Sequence, residues 1–229
     1  ELTFKKQFIR SITGAQVSSK KGTTTIKALS NLNLTIYSGQ RIALIGHNGS
    51  GKSSFIRLIS GIYTPTSGIF KSSTNIYPLL RKSFLVSPSL TGIDEAKAHY
   101  LLIKNNFKNF DLFLEDVKNF SGLGDFMSLP ITTYSDGMAA RLMFSLLTYF
   151  SHEFLALDEG IGTGDAAFYN KANARLTEFI EKSGTLVFAS HSIELLKKFC
   201  TRGLVFSEGT IVYDGQLEDA IEYYDSKHS

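Results

Sequence analysis

The sequence predicts an α/β protein: a mainly parallel sheet covered on both faces, with a β-rich first third and an inserted run of helices at about residues 88–150. Two observations predict it. Short apolar runs of strand length, at residues 41–45, 154–157 and 185–189, alternate with longer segments of helical spacing, the pattern of strands buried on both faces. The first of these runs leads through a glycine-rich loop, residues 46–54, straight into the helix-like run at 55–59. With 229 residues, 43% of them hydrophobic and 20% charged, the chain is long enough to bury a substantial core. We read residues 1–229 as a single domain whose helical subdomain is that insertion.

Taken in order, residues 2–9 and 32–37 have alternating or β-branched character, with the turn-like Lys20-Lys21-Gly22 between them. After the glycine-rich loop and its helix, Thr64-Pro65-Thr66-Ser67-Gly68 marks a break. Residues 94–105 and 111–120 carry apolar side chains at helical spacing with polar partners. From 154 onward the pattern runs strand, helix (166–181), strand (185–189). Residues 203–206 and 210–213, joined through Ser207-Glu208-Gly209, form a hairpin signal, and 217–224 is an amphipathic helix.

Composition excludes several classes. Net charge is +3, with 24 Lys and Arg against 21 Asp and Glu, too mild to argue for a nucleic-acid surface. A single cysteine, Cys200, forbids an internal disulfide and fits a reducing compartment. No apolar run approaches the roughly 20 residues of a membrane span, and residues 142–150 are interrupted by Ser145 and Thr148. The start shows no basic–apolar–small leader pattern, and because residue 1 is Glu rather than Met, neither end is taken as a natural terminus.

The loop reads GHNGSGKSS: Gly46, His47, Asn48, Gly49, Ser50, Gly51, Lys52, Ser53, Ser54. This is G-x-x-x-x-G-K-[ST] between a strand and a helix, as the phosphate-binding motif requires. Its glycines let the backbone turn so that successive N–H groups converge on an anion. The helix that follows turns its positive end to the same point. Lys52 supplies a mobile charge for the terminal phosphates, and Ser53 a hydroxyl suited to Mg²⁺. The loop therefore implies a nucleoside triphosphate.

Two further motifs narrow the chemistry. The run 154–157 ends in Asp158-Glu159. In an open α/β sheet the end of a buried strand faces the ligand crevice, so Asp158 suits the Mg²⁺ shell and Glu159 the attacking water. Ser135-Asp136-Gly137-Met138, with Arg141 a turn later, opens the apolar helix-like Leu142-Met143-Phe144. Serine there is an N-cap signal, and the same hydroxyl, glycine and helix dipole also build an anion site. Downstream, residues 186–189 lead into Ser190-His191-Ser192, placing a histidine at a strand end within reach of a γ-phosphate.

With these four elements in this order, the chain resembles an ATP-binding cassette (ABC) nucleotide-binding domain over nearly its whole length. The resemblance implies a P-loop NTPase fold: a mainly parallel core, an N-terminal antiparallel β subdomain and a helical subdomain. It makes residues 46–54 the Walker A loop, 155–159 part of Walker B, Ser135-Asp136-Gly137-Met138 the signature motif and His191 the switch histidine. It implies an ATPase using ATP and Mg²⁺, with Lys52, Glu159 and His191 catalytic. It also implies head-to-tail homodimers, in which Ser135 and Gly137 of one copy meet the ATP held by the Walker loop of the other.

Departures from the common family pattern narrow the subgroup. The signature reads SDGMAARLMF, the segment after Glu159 reads Gly160-Ile161-Gly162-Thr163-Gly164-Asp165-Ala166-Ala167-Phe168, and Ser89-Leu90-Thr91-Gly92 precedes the insertion. All three resemble the exporters of capsule, O-antigen and teichoic acid, and place Asp165 beside the nucleotide. The resemblance then implies a separate multi-span membrane permease as partner, no nucleic acid, and a peripheral place on the cytoplasmic face of the bacterial inner membrane. The apolar segment Tyr77-Pro78-Leu79-Leu80 with Phe84-Leu85-Val86 is its candidate contact with the permease.

Two family positions are altered. Where a glutamine senses Mg²⁺ and water, Ser87 stands in one register and Ser83 in another. No Tyr or Trp lies between Phe8 and Ile36 to stack on adenine, and Gln16 is the candidate for that place. Two other readings stay open. One is a soluble ABC ATPase acting on nucleic acid or ribosomes, although the interval from Lys52 to Ser135 leaves no room for a long coiled coil. The other is a binding-only cassette, against which Lys52, Asp158, Glu159 and His191 speak.

Overall fold

A computed structural model describes residues 16–20, 23–79, 87–158 and 166–228. These fall into two compact units, one from residues within Glu1–Leu80, His152–Gly160 and Ser183–Ser229, the other from residues within Arg81–Ser151 and Ile161–Lys182.

The first unit is built on six strands: β3 (Arg41–Ile45), β4 (Ile76–Leu79), β5 (Phe154–Asp158), β6 (Thr185–Ala189), β7 (Arg202–Ser207) and β8 (Thr210–Gln216), in the spatial order β4-β5-β6-β3-β7-β8. All neighbours are parallel except β7 and β8, which form an antiparallel hairpin. Strands β5 and β6 are buried at every position, which is why they read as continuous apolar runs rather than alternating ones.

One face of this sheet presents Ile42, Leu44, Ala156, Val187, Leu204 and Phe206 to α1 (Lys52–Ile59), which contributes Phe55, Ile56 and Ile59. Each such aliphatic or aromatic side chain, fully buried, contributes roughly 1.5–3 kcal/mol, so Ile56, with no exposed surface, is a position where truncation to alanine costs several kcal/mol. Near the other end of the sheet, α7 (Leu217–His228) crosses β7 so closely that a Cβ at Gly203 would fall 2.4 Å from the Ala220 Cβ. Glycine is required there by contact. The short α6 (Ile193–Phe199) is capped by Ser192, and Cys200, at its C-terminal end, is buried.

The N-terminal residues that are described form a two-stranded antiparallel ribbon, β1 (Gln16–Lys20) with β2 (Thr23–Lys27). Residues 2–9 lie outside the described residues. Residues 32–37, also of alternating character, join no ladder with another described strand. Their alternation is nonetheless real, since Leu32, Leu34 and Ile36 pack against the α1-side core. Packing on this core accounts for the period-two burial of these three side chains.

The second unit contains α2 (Gly92–Lys104), α3 (Phe110–Ser121), two 3₁₀ turns (Gly124–Ser128 and Ile131–Thr133), α4 (Asp136–Leu147) and α5 (Ala166–Glu181). Its core gathers Tyr100, Phe113, Val117, Met127, Leu142 and Phe150. Several aromatic pairs meet edge-on, as ring quadrupoles favour, Tyr100 and Phe110 at 80° and Phe113 and Tyr149 at 79°, while Phe113 and Phe150 stack at 15°. His99 is buried within this unit, 7% exposed and stacked near Phe113. Burial drives its pKa down to about 4, opposed by a hydrogen bond with the Leu146 backbone.

Candidate functional site

β3 ends at Ile45, and the chain then turns through residues 46–51 into α1. Gly46, Gly49 and Gly51 hold φ of +149°, +81° and +116°, the region that side chains with a Cβ avoid. Gly51 is the N-cap of α1, without a side-chain cap among the described residues, and no acidic residue of the helix itself sits in its first turn. The Lys52 ammonium donates to the carbonyls of Gly46 (2.5 Å) and His47 (3.0 Å), folding the side chain back over the loop. His47 Nδ1 lies 2.8 Å from the Asn48 carbonyl oxygen. Asn48 and Gly49 are exposed at the tip, Ser50 is wholly buried, and Ser54 is half-buried in the first turn of α1.

The sheet brings a carboxylate to this loop. Asp158 pairs in register with Ala189, which is level with Leu44, so β5 ends beside the last residues of β3 with β6 between them. Its side chain, 8% exposed, accepts a hydrogen bond from the Ser53 hydroxyl at 3.0 Å. A hydroxyl and a buried carboxylate at a phosphate loop are hard oxygen donors of the kind Mg²⁺ selects. Among the described residues no group of three or more His, Cys, Asp or Glu forms a metal site. A cation at Ser53 and Asp158 would have coordination positions left for phosphate and water, the usual arrangement for Mg²⁺.

His191 follows β6, whose C-terminal end lies between those of β3 and β5, and it is exposed. The neighbouring Ser190 hydroxyl accepts from the Ser192 N–H at 3.1 Å, setting the turn into α6.

Ser135 and Gly137 belong to the other unit. The Ser135 side chain accepts from the Met138 N–H at 3.2 Å and caps α4, as the sequence predicted. Around Gly137 the space is open, with only the Ser135 hydroxyl, 3.9 Å away, near a built Cβ. Among the described residues neither φ nor packing demands glycine there. The Nε of Arg141, a turn along, is buried with no hydrogen-bond partner among the described residues. Ser87, also in this unit, accepts from the Ser89 N–H (3.3 Å), while its own N–H donates to Glu95 at 3.4 Å. Glu159, Asp165, Ser83, Phe84 and Leu85 lie outside the described residues, as does the side chain of Gln16.

The family model described as ABC transporter matches residues 29–162. The chain belongs to the ABC transporter family. Among curated ABC relatives, the O-antigen export system ATP-binding protein RfbE of Yersinia enterocolitica is 37% identical over 213 residues, covering 90% of this chain and 89% of that protein. The teichoic acids export ATP-binding protein TagH of Enterococcus faecalis is 34% identical over 87% of the chain, and RfbB of Myxococcus xanthus 33% over 86%. The chain spans less than half the length of these last two, 44% and 45%. Among solved structures, the dimeric ABC cassette MJ0796 superposes with a TM-score of 0.65 at 21% identity, covering 89% of this chain and 96% of that one. An ATP-binding subunit of an ABC transporter superposes at 0.67 and 18% identity, covering 93% and 92%. These two show the fold. This ABC chain is an ATPase of that family and binds nucleotide.

One part of the site escaped the sequence reading: the support behind the phosphate loop. Gly209, in the predicted hairpin turn, hydrogen-bonds the loop from the rear. The turn signal Ser207-Glu208-Gly209 was visible, but what the turn touches is not a local property.

Proposed function

We propose that this chain is the ATP-hydrolysing subunit that powers export of a cell-surface polysaccharide through a separate membrane permease. The observation that carries this reading is the match to the O-antigen export protein RfbE, which runs through nearly all of both chains. The teichoic acid relatives support the same substrate class, a polyanionic or neutral glycan at the cell surface. Among the described residues no helix is long and apolar enough to cross a membrane, which fits a subunit that leaves the passage to a partner. Its place is the cytoplasmic face of the bacterial inner membrane, and Phe84 and Leu85 are the residues we assign to permease contact.

In this reading residues 46–54 hold the phosphates, with Lys52 turning from the loop carbonyls to the γ-phosphate. Ser53 and Asp158 hold Mg²⁺, which when bound neutralises charge on the β- and γ-phosphates. Glu159 accepts the proton of the attacking water and His191 contacts the γ-phosphate. Ser135 and Gly137 of a second copy close the site over the ATP; Asp165 is assigned to nucleotide binding and Ser87 to Mg²⁺. The open space at Gly137 among the described residues supports this closure, since it leaves the start of α4 accessible to a phosphate held by a second copy.

The test is co-expression with the candidate permease in a host lacking its own glycan exporter. Surface glycan should appear with the wild-type chain and not with Glu159→Gln. Glycan export that persists with Glu159→Gln, or that never depends on this chain, rejects the reading.

A further inference from the structure

The tip of the β7–β8 hairpin presses against the back of the phosphate loop. Glu208 and Gly209 hold φ of +46° and +78°, both positive, as in the two-residue turns whose twist matches that of the strands they join. The Gly209 N–H donates to the Ser50 carbonyl at 2.9 Å, and the Gly209 carbonyl accepts from the Ser30 N–H at 2.8 Å. A Cβ on Gly51 would lie 3.2 Å from the Gly209 Cα, and one on Gly46 2.5 Å from the Phe206 carbonyl oxygen. A Cβ on Gly209 itself would come within 2.6 Å of the Ala28 carbonyl oxygen. Glycine at 209 is thus required twice, by the turn and by Ala28.

The Ser50 carbonyl shares its peptide plane with the Gly51 N–H. In a trans peptide these two groups point in opposite directions. A hydrogen bond that pulls the Ser50 carbonyl back toward the hairpin therefore turns the Gly51 N–H forward, to the side where the loop's donors and the end of α1 converge. The Ser50 side chain does not help, because its hydroxyl is buried without a hydrogen-bond partner among the described residues.

We infer that Gly209 is a positioning residue for the phosphate loop: its N–H fixes the Ser50–Gly51 peptide and so sets affinity for the nucleotide. The inference rests on the assignment of residues 46–54 to phosphate binding. It makes the β7–β8 turn, more than 150 positions away along the chain, part of what the nucleotide feels.

Calorimetric titration of the full chain with MgATP tests it, using wild type, Gly209→Ala and Lys52→Ala. The stoichiometry reports how much protein is folded, and the Kd reports the site. Gly209→Ala should weaken binding about tenfold, the equivalent of one lost hydrogen bond, at unchanged stoichiometry. A lowered stoichiometry with wild-type Kd makes Gly209 merely structural and overturns the inference. If Lys52→Ala binds like wild type, the phosphate assignment fails and the inference falls with it. If Gly209→Ala does not fold, hydrogen exchange on the wild type decides. Closure of the turn and nucleotide binding are linked, so saturating MgATP should slow exchange at residues 207–210. Exchange there that ignores MgATP overturns the inference.

Discussion

The Ser53 hydroxyl and the Asp158 carboxylate meet at 3.0 Å although they sit on elements 105 positions apart in the chain. Ser53 is in the first turn of α1, Asp158 is the last residue of β5, and β6 lies between their strands. The contact exists because α1 leans back across the sheet from the end of β3, burying Phe55, Ile56 and Ile59 on it. Apolar packing of one helix thus aligns two oxygen donors for a cation.

From this pair we expect a specific Mg²⁺ phenotype. Ser53→Ala should raise the Mg²⁺ concentration for half-maximal ATPase activity by about tenfold or more, since Mg²⁺ sites with few protein ligands depend on each. Asp158→Asn, nearly isosteric but uncharged, should lower activity further at every Mg²⁺ level. A Mg²⁺ titration that superposes on wild type for both variants would remove the pair from metal binding.

Glu159→Gln should keep MgATP affinity and lose turnover by about 10²–10⁴, the contribution typical of a positioned general base. Paired equilibrium binding and steady-state phosphate release make the measurement. Near-wild-type phosphate release by the variant would exclude Glu159 as the base.

Gly137→Asp should leave each chain folded and able to bind ATP, because the space around it is open among the described residues. ATP-dependent dimerisation should fail, since the new carboxylate would face the partner's phosphates. Sedimentation of the Glu159→Gln background with and without Gly137→Asp reads this directly. Dimers of normal stability in the double variant would contradict the composite site.

Stability should fall in mild acid through His99. Its native pKa, about 4, lies below the ordinary value of 6.5, so between these limits the unfolded chain binds the extra proton. Stability from this residue is full above about pH 6.5 and declines as pH drops toward 4, by up to about 3 kcal/mol. Urea midpoints across that range should fall in wild type and flatten in His99→Leu. Parallel pH profiles for the two proteins would assign the acid sensitivity elsewhere.

What the sequence disclosed, and what it withheld, follows the range of the interactions. Residues 46–54 are legible because a phosphate loop is a local device: glycines for positive φ, a helix start and a lysine within nine positions. Ser135 is legible for the same reason, as a cap acts on the N–H three residues on. The strands 154–157 and 185–189 announced themselves by unbroken apolar content, a result of burial on both faces. The alternation at 32–37 was legible as burial, since Leu32, Leu34 and Ile36 pack on the core, because alternation records which side chains are buried. Gly209 stayed hidden because its partners, Ala28, Ser30 and Ser50, are distant along the chain, and a glycine in a turn already has a sufficient local reason.

The buried Cys200 has a practical meaning. It is 5% exposed, and burial pushes its thiol up to about 12, so at neutral pH it is neither accessible nor a thiolate. The chain therefore comes with its one sulfhydryl already silent. A pair of cysteines introduced at Gly137 and at the tip of the 46–54 loop would be the sole reactive thiols in solution, without first removing the native one. Oxidation in the presence of ATP would then capture two copies in the act of meeting, and the yield of linked chains would measure how often they do.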